Sequence, residues 1–174
     1  MLFDSPIYFV FLALAALVYW RLSHRRQNVF LLLASYFFYG WWDWRFLALM
    51  IGGTAADFFI AHKVVPGRPE SSRKKWLVLS LILNFTILGA FKYFNFFADS
   101  LVDALNLFGF HHVPLSLIRI LLPPGISFYT FEEVAYIVDV YKGKVEPSKS
   151  FLDYSLFISL FPHLIAGPIQ RPGS

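Results

Sequence analysis

The 174-residue chain contains no cysteine, which excludes disulfides, a thiol nucleophile and any cysteine-held metal cluster. Charge is scarce as well. Only 15% of the residues are Asp, Glu, Lys or Arg, whereas a soluble domain uses about 25% to wet its surface. The excess of 15 Lys and Arg over 11 Asp and Glu is too small, and spread over too few positions, for a nucleic-acid-binding protein. Internal repeats and low-complexity segments are also missing. So are a nucleophile with a base and an orienter, a glycine-rich phosphate loop and an HExxH helix. What the chain has instead is apolar mass: 57% hydrophobic residues, 21 Phe, 5 Trp and a mean hydropathy of +0.58. Its outside is expected to be lipid.

Crossing a hydrocarbon core of about 30 Å takes roughly 20 helical residues, fewer where Trp, Tyr, Arg or Lys extend the ends. Ser5 to Trp20 and Gln27 to Trp42 carry no charge. Phe46 to His62 carries only Asp57, Trp76 to Phe97 only Lys92, and Tyr154 to Gln170 none. A further stretch, Gly125 to Tyr141, is expected to return through the membrane. In lipid each backbone group must be bonded within its own segment, so these runs are expected to be helices. A signal peptide would place positive charge before the first run and small residues after it. Here Asp4 precedes it and Arg21, Arg25 and Arg26 follow, so the run is read as a retained span with its N-terminus outside.

The cations are consistent with that orientation. Arg21 to Arg26 form one cluster, Lys63, Arg68, Arg73, Lys74 and Lys75 a second, and Lys142, Lys144 and Lys149 a third. Each pair of clusters is separated by an outward and a return pass, which puts all three on one face. Enrichment in Lys and Arg marks that face as cytoplasmic. Arg171 falls on the opposite side and goes against the pattern. Val65 to Ser72 reads as a loop from Pro66, Gly67, Pro69, Ser71 and Ser72. Between Ala98 and Leu122, Leu101, Leu105 and Phe108 recur at helical spacing beside Asp99, Asp103 and Asn106. That pattern suits a separate short helix in the membrane interface, ended by Gly109 and Pro114. Leu115 to Leu122 is too short to span, and Pro123-Pro124-Gly125 forces a bend.

Ionisable groups at membrane depth are costly and mark candidate sites. Asp57, one turn before a basic loop, is expected to pair with Lys63 or to hydrate. Lys92 is expected to snorkel. Glu132 and Asp139, seven residues apart on one helical face with Glu133 beside them, should face the bundle interior or a polar cavity. Pairing with Lys142 is the alternative for Asp139. His24 and His62 read as solvated. His111 and His112 are adjacent and have no carboxylate at a metal-ligand offset, so no metal site is assigned. His163 follows Pro162 inside an uncharged run and reads either as a histidine bonded to a neighbouring helix or as the lining of a polar path.

Four blocks of sequence carry a family resemblance. They are Ala34-Ser-Tyr-Phe-Phe-Tyr-Gly-Trp-Trp42, Phe91-Lys-Tyr-Phe-Asn-Phe96, Leu122-Pro-Pro-Gly-Ile-Ser-Phe-Tyr-Thr-Phe131 running on through Ile137-Val-Asp-Val-Tyr141, and Phe161-Pro-His-Leu-Ile-Ala-Gly-Pro168. In this order they resemble the N-terminal part of the membrane-bound O-acyltransferase (MBOAT) family. The closest likeness is to its bacterial alginate O-acetyltransferase branch, whose relatives include the D-alanyl transfer protein of teichoic acid modification. The resemblance covers essentially the whole chain.

It implies an all-α, polytopic transmembrane helical bundle, with residues 1–174 as one transmembrane region of a longer protein. Gln170-Arg-Pro-Gly-Ser174 would then be an interruption in mid-protein. The resemblance also implies transfer of an acyl group, usually acetyl, from a cytoplasmic donor such as acetyl-CoA to hydroxyls of an exported polysaccharide such as alginate. Such a protein would sit in the bacterial inner membrane, work with extracytoplasmic acetylation proteins, and hold no bound cofactor. The family histidine taken as catalytic is expected beyond Ser174; His163 belongs to a different block and is not given that role. Tyr129, Glu132, Asp139 and His163 are the candidates for lining a substrate tunnel. The rival readings are a transporter or channel subunit, suggested by the same broken segment and acids, and a non-catalytic assembly subunit that docks helices through Gly52-Gly53.

Overall fold

The computed structural model describes residues 6–41, 43–107 and 123–160. Six helices account for most of them: α1 (Pro6–Tyr19), α2 (His24–Gly40), α3 (Trp44–Ala61), α4 (Glu70–Leu107), α5 (Ile126–Tyr141) and α6 (Phe151–Ser159). There is no strand among the described residues. The helices form an all-α membrane bundle in which α5 packs against α3, α4 and α6, while α2 bridges α3 and α6 and carries α1 on its far side.

Local chemistry sets the helix ends. The Asp43 side chain accepts a hydrogen bond from the backbone N–H of Arg45 at 2.8 Å and starts α3. Ser150 does the same for α6, accepting from the Asp153 N–H at 3.3 Å. Gly125, with φ of 76°, makes the left-handed turn that the preceding Pro123-Pro124 cannot make and leads directly into α5. At the other end of α5, Gly143 (φ 70°) donates to the Val140 carbonyl at 3.0 Å and Lys144 to the Asp139 carbonyl at 2.9 Å. These two bonds are the Schellman closure of a helix.

The boundaries of α1, α2 and α3 follow the charge-poor runs, and α5 follows the expected returning stretch Gly125 to Tyr141, which carries Glu132, Glu133 and Asp139. Helix α4 does not. The sequence suggests a span over Trp76 to Phe97 followed by a separate interfacial helix, but the helix runs unbroken for 38 residues, about 57 Å at 1.5 Å per residue. Asp99 and Asp103 therefore lie on a continuation of the same rod. The reason is that leaving lipid for water changes composition, whereas ending a helix takes a backbone signal, and no proline lies between Glu70 and Leu107. Gly109, Pro114, His111 and His112 lie outside the described residues. The loop expected at Val65 to Ser72 ends three residues early, because Glu70, Ser71 and Ser72 already belong to α4. Of the run Tyr154 to Gln170, the described part is helical only to Ser159, and the helix starts earlier, at Phe151. The remainder, including His163, is outside the described residues.

By length and composition, α3 and α4 are each long and apolar enough to cross a bilayer. Their exteriors fit that medium: Phe59, Ile82, Phe96 and Phe97 are all more than half exposed, as lipid-facing side chains should be. The interior is polar to an unusual degree. Ser35, Thr54, Asp57, Ser80, Asn84, Thr130, Glu132, Glu133, Ser155 and Ser159 are all buried alongside Met50, Tyr136, Ile137 and Ile158.

Candidate functional site

The polar residues gather where α3, α4, α5 and α6 meet. Asp57 on α3 is fully buried. Its Oδ1 accepts from the Ser80 hydroxyl and its Oδ2 from the Asn84 amide, each at 2.6 Å. Ser80 and Asn84 are four residues apart on α4 and so present both donors from one face. Asn84 also donates to the Ser80 carbonyl at 3.1 Å, which fixes the amide. Asp57 is thus held from the neighbouring helix, and the expected pairing with Lys63 or hydration is not what satisfies it. A carboxyl group at this depth finds its cheapest partners in hydroxyl and amide groups that are buried already.

One turn away on α3, the Thr54 hydroxyl donates to Glu133 Oε1 at 2.8 Å and joins α3 to α5. Gly53 lies beside this carboxylate: a Cβ placed there would stand 3.7 Å from Glu133 Oε2, an ordinary contact distance. Its neighbour Gly52 faces open space. Glu132 and Tyr129 are buried on the same helix as Glu133, and Tyr154 of α6 packs on Tyr136 of α5 with ring centroids 4.6 Å apart and the rings tilted by 34°. Asp57, Glu132 and Glu133 all lie within electrostatic reach of the Tyr154 phenol. The Tyr154 hydroxyl has no hydrogen-bond partner among the described residues. The pair Thr54–Glu133 sits eight residues from the end of α5, about 12 Å inside the bundle.

Asp139 has a different setting. It stands at the end of α5 with its side chain 12% exposed and pairs with Lys144 at 3.6 Å, not with Lys142. The Schellman turn brings Lys144 back over the last helical turn, where its ammonium meets Asp139. Of the four residues singled out in the sequence, Tyr129 and Glu132 lie in the interior, Asp139 lies at its rim, and His163 is outside the described residues. Sequence reasoning missed Thr54, Ser80 and Asn84. The Ser80–Asn84 spacing inside an otherwise apolar helix was the available signal. His62, expected to be solvated, is half-buried, with Nδ1 2.8 Å from the Phe58 carbonyl. Lys92 is exposed, with its ammonium 5.6 Å from the Tyr93 ring centroid. Among the described residues, no group of three His, Asp or Glu side chains is placed to hold a metal ion.

Two outer contacts position the core. The Tyr39 hydroxyl of α2 donates to the Pro124 carbonyl at 2.9 Å and holds the entry to α5. The Tyr136 hydroxyl accepts from the Ser148 N–H at 2.8 Å and draws the following loop over the end of that helix.

The class these features define is an all-α membrane protein built around a buried, acid-rich polar core. Comparison with known proteins narrows it. The chain is 43% identical, over 98% of its length, to the probable alginate O-acetylase AlgI of Pseudomonas syringae pv. tomato. It is 41% identical over the same share to that of Pseudomonas aeruginosa, and 35% identical over 97% to the peptidoglycan O-acetyltransferase of Helicobacter pylori. The resemblance to the alginate O-acetyltransferase branch of the membrane-bound O-acyltransferases therefore holds along nearly the whole chain. The chain spans about a third of the length of these relatives, 33% of either alginate O-acetylase and 37% of the peptidoglycan enzyme. No family model and no solved structure matches it.

Proposed function

We propose that the chain is part of a membrane-bound O-acetyltransferase that moves acetyl groups from a cytoplasmic donor such as acetyl-CoA to hydroxyls of an exported polysaccharide. The observation that carries this reading is the near end-to-end similarity to named polysaccharide O-acetylases. Identity to the alginate O-acetylases runs from 43% down to 36%, against 35% for the peptidoglycan enzyme. Five of these six relatives are named as alginate O-acetylases, which favours an alginate-like polymer as the acceptor.

In such a transfer the acceptor oxygen attacks the thioester carbonyl, the C–S bond breaks, and the hydroxyl proton leaves with the thiolate as thiol. Both the donor and the acceptor are polar at the reacting end and must meet within a low-dielectric slab, so a protein-lined route is needed. Tyr129, Glu132, Asp139 and His163 are proposed to line that route from this chain. The buried polar surface of α5 supports the first two. No catalytic base is assigned within residues 1–174, and the chain by itself is expected to have no transfer activity.

The protein is taken to be a multi-pass protein of the bacterial inner membrane with its N-terminus outside. The basic segments after α1, α3 and α5 then lie on the cytoplasmic side, in line with the enrichment of Lys and Arg there. Absence of native cysteine makes this easy to check: a single cysteine placed at the exposed Ser71 should resist an impermeant maleimide in intact cells and react after lysis.

The activity test is a hybrid in which residues 1–174 replace the matching third of a Pseudomonas alginate O-acetylase, expressed in a strain lacking its own copy. Acetyl esters on the secreted alginate are expected to return. A hybrid that reaches the membrane at normal abundance but leaves the polymer unacetylated rules the reading out.

A further inference from the structure

The sequence places two basic segments, around residues 63–75 and 142–149, far apart in the chain; the fold locks them together. Arg73, in the first turn of α4, donates from Nε to the Val64 carbonyl at 3.0 Å and from its Nη2 to the Tyr141 carbonyl. Its guanidinium also lies 4.6 Å from the centre of the Tyr141 ring. The two loops touch closely enough that a Cβ on Gly143 would stand 3.0 Å from Pro66 Cγ. Arg73 is half-buried and occupied as the clamp, and Lys144 is paired with Asp139. Lys63, Arg68, Lys74, Lys75, Lys142 and Lys149 are left, all exposed, with only Glu70 and Glu146 opposing them on the same segments.

These cations follow α3 and α5 directly and precede Trp76 of α4. Trp76 is 37% exposed, and Tyr141 marks the same level on α5. Aromatic rings at helix ends mark the depth of lipid headgroups. Six exposed cations on segments that end or begin these helices face phosphate groups already concentrated in a plane, so charge complementarity without an enclosing cavity is enough to recognise them.

We propose that the ends of α3, α4 and α5, clamped by Arg73, form one basic platform that docks anionic phospholipid headgroups. The proposal rests on the membrane-spanning reading given above and is independent of acyl transfer, because it is read from retained lipid and not from acetyl esters. The platform sets the depth of the polar core below it: every anionic headgroup it holds fixes the end of α5 in the plane of the membrane.

The test is native mass spectrometry of the intact chain released from vesicles of equal phosphatidylglycerol and phosphatidylcholine content. Roughly tenfold or greater retention of phosphatidylglycerol is expected at low ionic strength. The preference should fade toward about 0.5 M salt as charges on the surface are screened. In the K63Q/R68Q/K74Q/K75Q/K142Q/K149Q variant, which removes all six of these exposed cations, the preference is expected to vanish, while the circular dichroism and melting profile stay as in the unaltered chain. Equal retention of the two lipids by the unaltered chain overturns the proposal, and so does a preference indifferent to salt, whether or not the variant folds. A preference that persists in the folded variant places the headgroups elsewhere and overturns it too. Adenosine 3′,5′-bisphosphate that binds without lipid and displaces phosphatidylglycerol would assign the surface to a soluble phosphate ligand instead.

Discussion

Helices α1 and α5 are nearly the same length, 14 and 16 residues, and both come from apolar runs, yet the bundle uses them in opposite ways. On α1, Val10, Leu14 and Leu17 are more than half exposed and Ala15 is buried. Its hold on α2 includes aromatic contacts such as Tyr8 to Phe38, with centroids 5.8 Å apart. On α5 nine residues are buried, and Thr130, Glu132, Glu133 and Asp139 are among them. In water the hydrophobic residues would tell inside from outside. In lipid the tails are as apolar as leucine, so no such sorting force acts between helices. The polar side chains, which have nowhere else to go, identify the interior.

The largest expected break in this contrast is at Asp57. Replacing it with alanine strands the Ser80 hydroxyl and one N–H of the Asn84 amide, two buried donors with a single acceptor group between them. Each orphaned donor costs about 1–3 kcal/mol, so a loss of roughly 2–5 kcal/mol is expected, read as a fall in the thermal midpoint in detergent. The triple variant D57A/S80A/N84A removes the stranded donors along with the acceptor and should recover much of that loss. If the single and triple variants are equally destabilised, the polar core is not held together by this hydrogen bonding.

Much of this organisation was legible from the chain. The charge-poor runs located α1, α2 and α3 to within a few residues, because a helix in lipid shows as a run with little charge, and the Pro123-Pro124-Gly125 break located the start of α5 despite its three acids. Glu132 could be placed inside because no lipid-facing position would take it. Two things could not be read. The length of α4 was hidden because Asp99 and Asp103 look like a new element when they are only the wet end of an old one. The partners of Asp57 were hidden because its donors lie 23 and 27 residues away, on a helix whose rotation the sequence does not fix. Proximity in sequence favoured Lys63; proximity in the bundle favoured α4.

A smaller effect is expected where the two loops meet. Gly143 has φ of 70°, a region that costs a residue with a Cβ roughly 1–2 kcal/mol. The added methyl would also press on Pro66 at 3.0 Å. Gly143→Ala is therefore expected to cost about 1–2 kcal/mol and to loosen the end of α5 with little effect on the Asp57 network. Amide hydrogen exchange would show this as faster exchange over residues 139–146 with residues 80–84 unchanged. Faster exchange in both places would mean that the loop contact and the polar core unfold as one unit.

The smallest effect should come from the lipid-facing wall. Leu14 of α1 is 57% exposed, so cutting it to alanine exchanges contacts with lipid tails for contacts with other lipid tails. The usual cost of a large-to-small change, about 2–5 kcal/mol in a packed core, comes from lost transfer energy and from a cavity that cannot collapse. Neither applies on a surface bathed by fluid chains, and helix propensity favours alanine slightly over leucine. Leu14→Ala is expected to shift stability by less than about 0.5 kcal/mol. A measured cost near 2 kcal/mol would show that protein, not lipid, covers this face. In that case α1 would be an inner helix of a larger bundle, and exposure of its leucines would no longer set it apart from α5.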